Sequence, residues 1–286
     1  MQLCKHDEMQ SLVDGMTFVL NFAKNPAYTY REGEGKKAIE SYGKFGITNS
    51  QDKETESSDA DVFNISGIND ASFSDSTSLY TSSQKSKLLV SIGSGVSMIK
   101  VDPSGEFKRV SGTAIGGGTL VGLVNMMTGI RDFNKIIEMG QSGDHSGVDY
   151  LVKDIYGDKS RFKELQMDWL ASSFARVGND SETEPSALGD KYKKEDIIAS
   201  VMFMISYNVA QIATLVSQMH DIDDIIFVGN YVKANDIGKE KISFGVDLNS
   251  GYTKRPLFLT FDGYLGAIGA FLQEFNNQKQ CDDSCN

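Results

Sequence analysis

The sequence predicts an α/β lobe built on a mixed sheet, and three observations carry that prediction. Short β-branched runs separated by glycine turns fill residues 88–111. Helix-spaced apolar residues follow them. Two further apolar runs, at 225–228 and 256–260, then alternate with helical stretches, which is the order of a layered α/β fold. The chain has 286 residues, 40% of them hydrophobic, which is enough for a substantial core.

The elements follow in order. Met9, Leu12, Val13, Met16, Val19 and Leu20 recur at helical spacing, with Asp7 and Glu8 in the first turn, so the chain opens with an amphipathic helix. Across residues 31–87 the composition shifts to Ser, Asp, Glu, Asn and Gly, which reads as a flexible low-complexity insertion. Residues 88–92 form a strand, Gly93, Ser94 and Gly95 a turn, and 96–101 a second strand, so the pair reads as a hairpin. Asp102-Pro103-Ser104-Gly105 is a second turn leading into a strand at 107–111, which completes an antiparallel meander.

The loop Gly116-Gly117-Gly118-Thr119 then ends the sheet and opens a helix. Unpaired N–H groups and the positive end of the helix dipole make that position an expected anion seat. The spacing is neither that of a Walker loop nor that of a dinucleotide fingerprint in a parallel unit. Helical patterns follow at 119–127, 133–139 and 148–156, the last stopped by Gly157. A polar stretch at 178–190 precedes the uncharged run 197–216. Ser200, Ser206, Asn208, Gln211 and Thr214 within that run favour a buried core helix over a membrane span. The strand at 225–228 ends at Gly229 and Asn230. The strand at 256–260 precedes a turn at Asp262-Gly263 and the small-residue helix GYLGAIGAF.

A net charge of −11 and a pI near 4.8 exclude a nucleic-acid surface or an anionic membrane as the main partner, and favour small molecules or proteins. Cys4, Cys281 and Cys285 sit at the two extremes of the chain and offer no disulfide framework, so a reducing, cytoplasmic setting is expected and no metal site is assigned. The polar start MQLCKHDEMQ has no apolar signal-peptide core.

Glu8, the turn from Gly93 to Ser97, KRVSGT, the triple glycine, VDYLVKDIYG, FVGN and DGYLGAIGA occur in this order. Together they resemble the eukaryotic-type (type II) pantothenate kinases of the acetate kinase, sugar kinase, Hsp70 and actin superfamily. The resemblance implies an actin-like, ribonuclease H-like ATPase fold. Residues 1–30 would be the end of an N-terminal lobe, 31–87 an insertion, 88–277 the C-terminal nucleotide- and pantothenate-binding lobe, and 278–286 a tail. It implies ATP-dependent phosphorylation of pantothenate with Mg2+, the first step of coenzyme A biosynthesis.

By the same resemblance Glu8 is the catalytic base. Ser94, Ser97 and Arg109 hold pantothenate or the feedback ligand, acetyl-CoA or another acyl-CoA. Gly93, Gly95, Gly116, Gly117, Gly118, Thr119, Gly229 and Asn230 surround ATP. The residue types agree with this, because phosphoryl transfer needs a proton acceptor and an N–H-rich or cationic cradle for the phosphates.

The family pattern also has a D-x-G-G-(T/S) loop ahead of Glu8, for which Met1 leaves no room, so that lobe is expected to be missing. Two smaller departures are Asn249, where relatives carry an aromatic residue, and Ser91, where the superfamily often has Asp or Asn. A homodimer or a heterodimer with a related kinase chain is implied. The alternative to an enzyme is a non-catalytic partner subunit that assembles with an intact kinase.

Overall fold

A computed structural model describes residues 6–23, 25–31, 35–38, 85–157, 166–184, 191–233 and 235–283. Its centre is a seven-stranded mixed sheet of order β2 (Gly35–Ala38), β1 (Ala27–Arg31), β9 (Arg255–Leu259), β8 (Asp224–Val228), β3 (Lys87–Ile92), β4 (Val96–Val101) and β5 (Phe107–Thr113). Strands β3 (Lys87–Ile92), β4 (Val96–Val101) and β5 (Phe107–Thr113) form the expected antiparallel meander. Strand β8 (Asp224–Val228) lies parallel to β3, and β9 (Arg255–Leu259) lies parallel to β8.

The period-two alternation of these strands divides the core between two faces. Leu88, Val90, Ile92, Phe227 and Phe258 point into one cluster, and Leu89, Ile226, Leu257 and Leu259 into the other. Both faces of the inner strands are buried, which is why these strands read as continuous apolar runs.

Helices α2 (Gly117–Thr128), α3 (Phe133–Ser142), α6 (Lys194–Met219) and α8 (Asp236–Ser250) cover the first face. By length and composition α6 could cross a membrane, yet 72% of its apolar window is buried inside the protein. This agrees with the core-helix reading of 197–216. Helices α1 (Glu8–Phe22) and α9 (Leu265–Asp283) cover the second face. They touch backbone to backbone: a Cβ on Gly15 would fall 2.0 Å from the Leu265 carbonyl oxygen, and one on Gly269 would fall 1.9 Å from that of Ser11.

Two expectations need correction. Strands β1 (Ala27–Arg31) and β2 (Gly35–Ala38) continue the sheet beyond β9, so the boundary expected at residue 31 falls at the end of a strand and the start of the expected insertion is ordered. The cause is burial of Tyr28 and Tyr30, whose rings pack on Phe258. Residues 32–34 and 39–84 of that segment lie outside the described residues.

The helix expected at 148–156 is instead a short strand β6 (Tyr150–Leu151) followed by α4 (Val152–Tyr156). Asp149 is fully buried and accepts hydrogen bonds from the Phe174 amide at 2.8 Å and the Ser200 hydroxyl, with His145 Nδ1 3.0 Å away. β6 pairs with β7 (Leu170–Ser172), and this pairing, together with the Asp149 bonds, draws the backbone out of the helix the periodicity suggested. α5 (Ala175–Gly178) follows β7, and α7 (Asn230–Lys233) follows β8.

Candidate active site

The three glycine loops meet at one end of the sheet, where β3 and β8 finish. The Gly93 amide donates to the Gly95 carbonyl at 2.9 Å and closes the first turn. Gly117 and Gly118 then donate to the carbonyls of Gly93 and Ser94, each at 2.9 Å. The triple glycine is therefore fused to the first turn, and two of the amides expected to seat an anion are already engaged. Their role is to lock the start of α2 to the β3–β4 turn. Thr119 adds to this, accepting from the Gly116 amide at 3.2 Å and donating to the Ala114 carbonyl at 3.1 Å. Gly93 faces outward: a Cβ there would meet nothing nearer than the Gly95 carbonyl oxygen at 3.9 Å, so the turn can be approached closely.

Gly229 abuts the same strand end. Its φ of 109° is open to glycine and strained for other residues, and a Cβ would lie 2.5 Å from the Ile92 carbonyl oxygen. Its amide donates to both carboxylate oxygens of Asp262, at 2.9 and 3.1 Å. Burial pushes the Asp262 carboxyl up to about 6, against the opposing pull of the Gly229 amide and the Lys239 and Lys233 ammonium groups. Asn230 opens α7, and the buried Tyr231 beside it shares a 2.8 Å hydrogen bond with Ser206.

On the other side of the first turn, Arg109 Nε donates to Ser97 Oγ at 2.9 Å. Register places Ser97 opposite Gly112, and the arginine runs across that glycine. A Cβ on Gly112 would lie 2.3 Å from Arg109 Nη2, so the pair depends on a bare backbone there. Arg109 and Ser94 are exposed, and together with Ser97 they form a polar wall beside the turn.

Glu8 has no hydrogen bond or ion pair to this cluster. It is the first residue of α1, exposed, following Asp7, whose side chain caps the helix by accepting from the Gln10 amide at 2.8 Å. The helix packs on the sheet face opposite α2, and no hydrogen bond or ion pair joins Glu8 to the glycine turns, Ser97 or Arg109. Two residues that shape the site were not singled out in the sequence. Asp262 reads there only as a turn former, and Gly112 only as a strand residue. The run DGYLGAIGA held the signal for Asp262, because an acid directly after a buried strand can reach a neighbouring loop amide.

Among the described residues, no group of three or more His, Cys, Asp or Glu side chains could hold a metal ion. The arrangement as a whole is one glycine turn open to close approach at Gly93, two further glycine loops held by their own hydrogen bonds, and the Arg109 guanidinium beside them, which suits a ligand with an anionic chain.

The chain has recognisable relatives among known proteins. The Fumble family model matches residues 1–273. Pantothenate kinase 2 of Arabidopsis thaliana is 35% identical over 269 residues, covering 94% of this chain and 25% of that protein. Pantothenate kinase of Schizosaccharomyces pombe is 35% identical over 193 residues, covering 67% of this chain and 47% of that one. The 4'-phosphopantetheine phosphatase of Mus musculus is 37% identical over 187 residues, covering 65% of this chain and 22% of that protein. The chain thus spans about a quarter of the Arabidopsis protein and about half of the yeast one.

Proposed function

We propose, from the premise that this chain belongs to the Fumble family, that of the pantothenate kinases, that it phosphorylates the primary hydroxyl of pantothenate at the expense of ATP, in a cytoplasmic setting. The observation that carries the reading is the convergence of the Gly93–Gly95 turn, the Gly116–Gly118 loop and the Gly229 turn at one sheet end, beside the Ser97–Arg109 pair. The mouse relative is named as a phosphatase, and both names describe chemistry at the phosphate ester of a pantoyl alcohol.

The residues present fit a nucleotide. Gly93 leaves its turn open for a phosphate chain, and the fused α2 start supplies a rigid base for it rather than spare amide donors. Gly229 and Asn230 would lie by the nucleoside. Bound ATP would supply the transferable phosphoryl group, and Mg2+ would be held through phosphate oxygens and water, since the described residues offer no carboxylate cluster. Arg109 presents a fixed guanidinium for an anionic group of pantothenate or an acyl-CoA, and Ser97 Oγ fixes its direction. Glu8 is the proposed acceptor of the hydroxyl proton, and this assignment rests on the family resemblance alone.

The test is a coupled assay of ADP release by the full chain with pantothenate. Pantothenate-dependent release that Glu8→Gln lowers at least about a hundredfold supports the reading, a size typical of general-base loss. A folded chain that hydrolyses 4'-phosphopantetheine, with no pantothenate-dependent ADP release, would overturn it.

A further inference from the structure

Beyond the glycine turns, one cavity has its own chemistry. It has a volume of about 210 Å³ and lies between the end of β9, α7 and α8. The rings of Phe227 and Phe258, both buried, supply apolar lining, and Tyr28 and Tyr264 add two further aromatic walls. Lys233 and Lys239 reach the same space. Lys233 Nζ lies 5.9 Å from the Tyr264 ring centroid and Lys239 Nζ 5.7 Å from that of Tyr28, while Lys36 sits 4.0 Å from the Tyr28 centroid. Lys239 is paired with Asp236 at 2.9 Å, but among the described residues no carboxylate lies within ion-pair distance of Lys233. The lysines share this space with the Asp262 carboxylate, and Asp236 pairs with Lys239, so the cationic character of the cavity rests on Lys233.

We propose that this cavity binds a small organic anion that combines a flat or apolar body with one carboxylate or phosphate. The rings take the body, Lys233 takes the charge, and the volume limits the ligand to on the order of a dozen non-hydrogen atoms. The site differs in lining from the Gly93 and Arg109 wall and does not depend on the kinase reading. It is coupled to the glycine loops through Asp262, which lines the cavity and holds the Gly229 amide. An anion here would engage the same lysines that face Asp262, so occupancy would be felt at the Gly229 turn.

The experiment is calorimetric titration of the full chain with phenyl phosphate, benzoate, inorganic phosphate and benzyl alcohol. The expected result is that phenyl phosphate or benzoate binds at least about tenfold more tightly than either the bare ion or the neutral alcohol. Which of the two leads distinguishes a phosphate source from a carboxylate one. Lys233→Met and Tyr264→Ala, both at exposed positions, should each weaken that probe by about fivefold or more without moving the melting temperature of the unliganded protein. Equal binding of the half-probes would overturn the proposal. So would an affinity unchanged in both variants, or no binding of any probe at about 10 mM.

Discussion

Replacing Asp262 by Asn should make the protein more stable at neutral pH and less effective at its chemistry. The Asp262 carboxyl titrates near 3.8 when solvated and is pushed up to about 6 in the fold by burial. A group raised in this way favours folding fully below the unfolded value, and that contribution is lost as pH rises through the folded one. At about 1.4 kcal/mol per pH unit, the ionised Asp262 therefore costs roughly 3 kcal/mol at pH 7.5.

Asn keeps one acceptor for the Gly229 amide and loses the second, charge-assisted contact, a loss of about 1 kcal/mol. The variant should then be more stable by about 2 kcal/mol at pH 7.5, which is a rise of about 4 °C or more in Tm for a chain of this size. At pH 5.2 part of the ionisation penalty is already relieved in the parent, and the gap should narrow by about 1 kcal/mol. Urea unfolding followed by intrinsic fluorescence at both pH values measures this, staying above the isoelectric pH near 4.8. In the same variant the looser Gly229 turn should raise the KM for ATP several-fold. A stability gap that is flat with pH, or that widens toward acid, would refute a buried, ionised Asp262 as the source.

Other outcomes follow from neighbouring features. Gly229→Ala should cost about 2 kcal/mol or more by denaturant unfolding, because its φ of 109° and the 2.5 Å approach to Ile92 leave no room for a methyl group. Gly112→Ala should press on the Val96 carbonyl oxygen 2.5 Å away and lower stability as well as displace Arg109, whereas Arg109→Met should raise the KM for pantothenate while changing stability by no more than about 0.5 kcal/mol. Lys87, buried and facing Arg255, has its ammonium pulled down to about 8. A lowered lysine penalises folding below the folded value and releases that penalty as pH rises toward the unfolded one, so stability should climb between pH 8 and 10.5, and Lys87→Met should remove most of the climb in a pH series of urea midpoints.

The sequence showed the meander, the long buried helix and the two later strands clearly, because Val, Ile and Leu at period two and glycine at the turns are local signals. What it did not show depends on tertiary partners. Residues 148–151 carry a helical period, and only the buried bonds of Asp149 to Phe174 and Ser200 turn them into a strand. The amides of Gly117 and Gly118 look unpaired in sequence, and only the folded hairpin supplies the carbonyls that engage them. Tyr28 and Tyr30 alternate as a strand should, but their five-residue segment gains meaning only from Phe258 across the sheet.

The contact of α1 with α9 also governs when this protein can finish folding. The first helix leaves the ribosome early, but the backbone it rests on, around Leu265 and Gly269, is made some 250 residues later. Until then the side of the sheet that carries Leu89 and Ile226 has only the cover of α1. The glycines at 15 and 269 thus make folding complete only when the segments around them have found each other. Loss of the last helix would expose a hydrophobic surface rather than merely shorten the molecule.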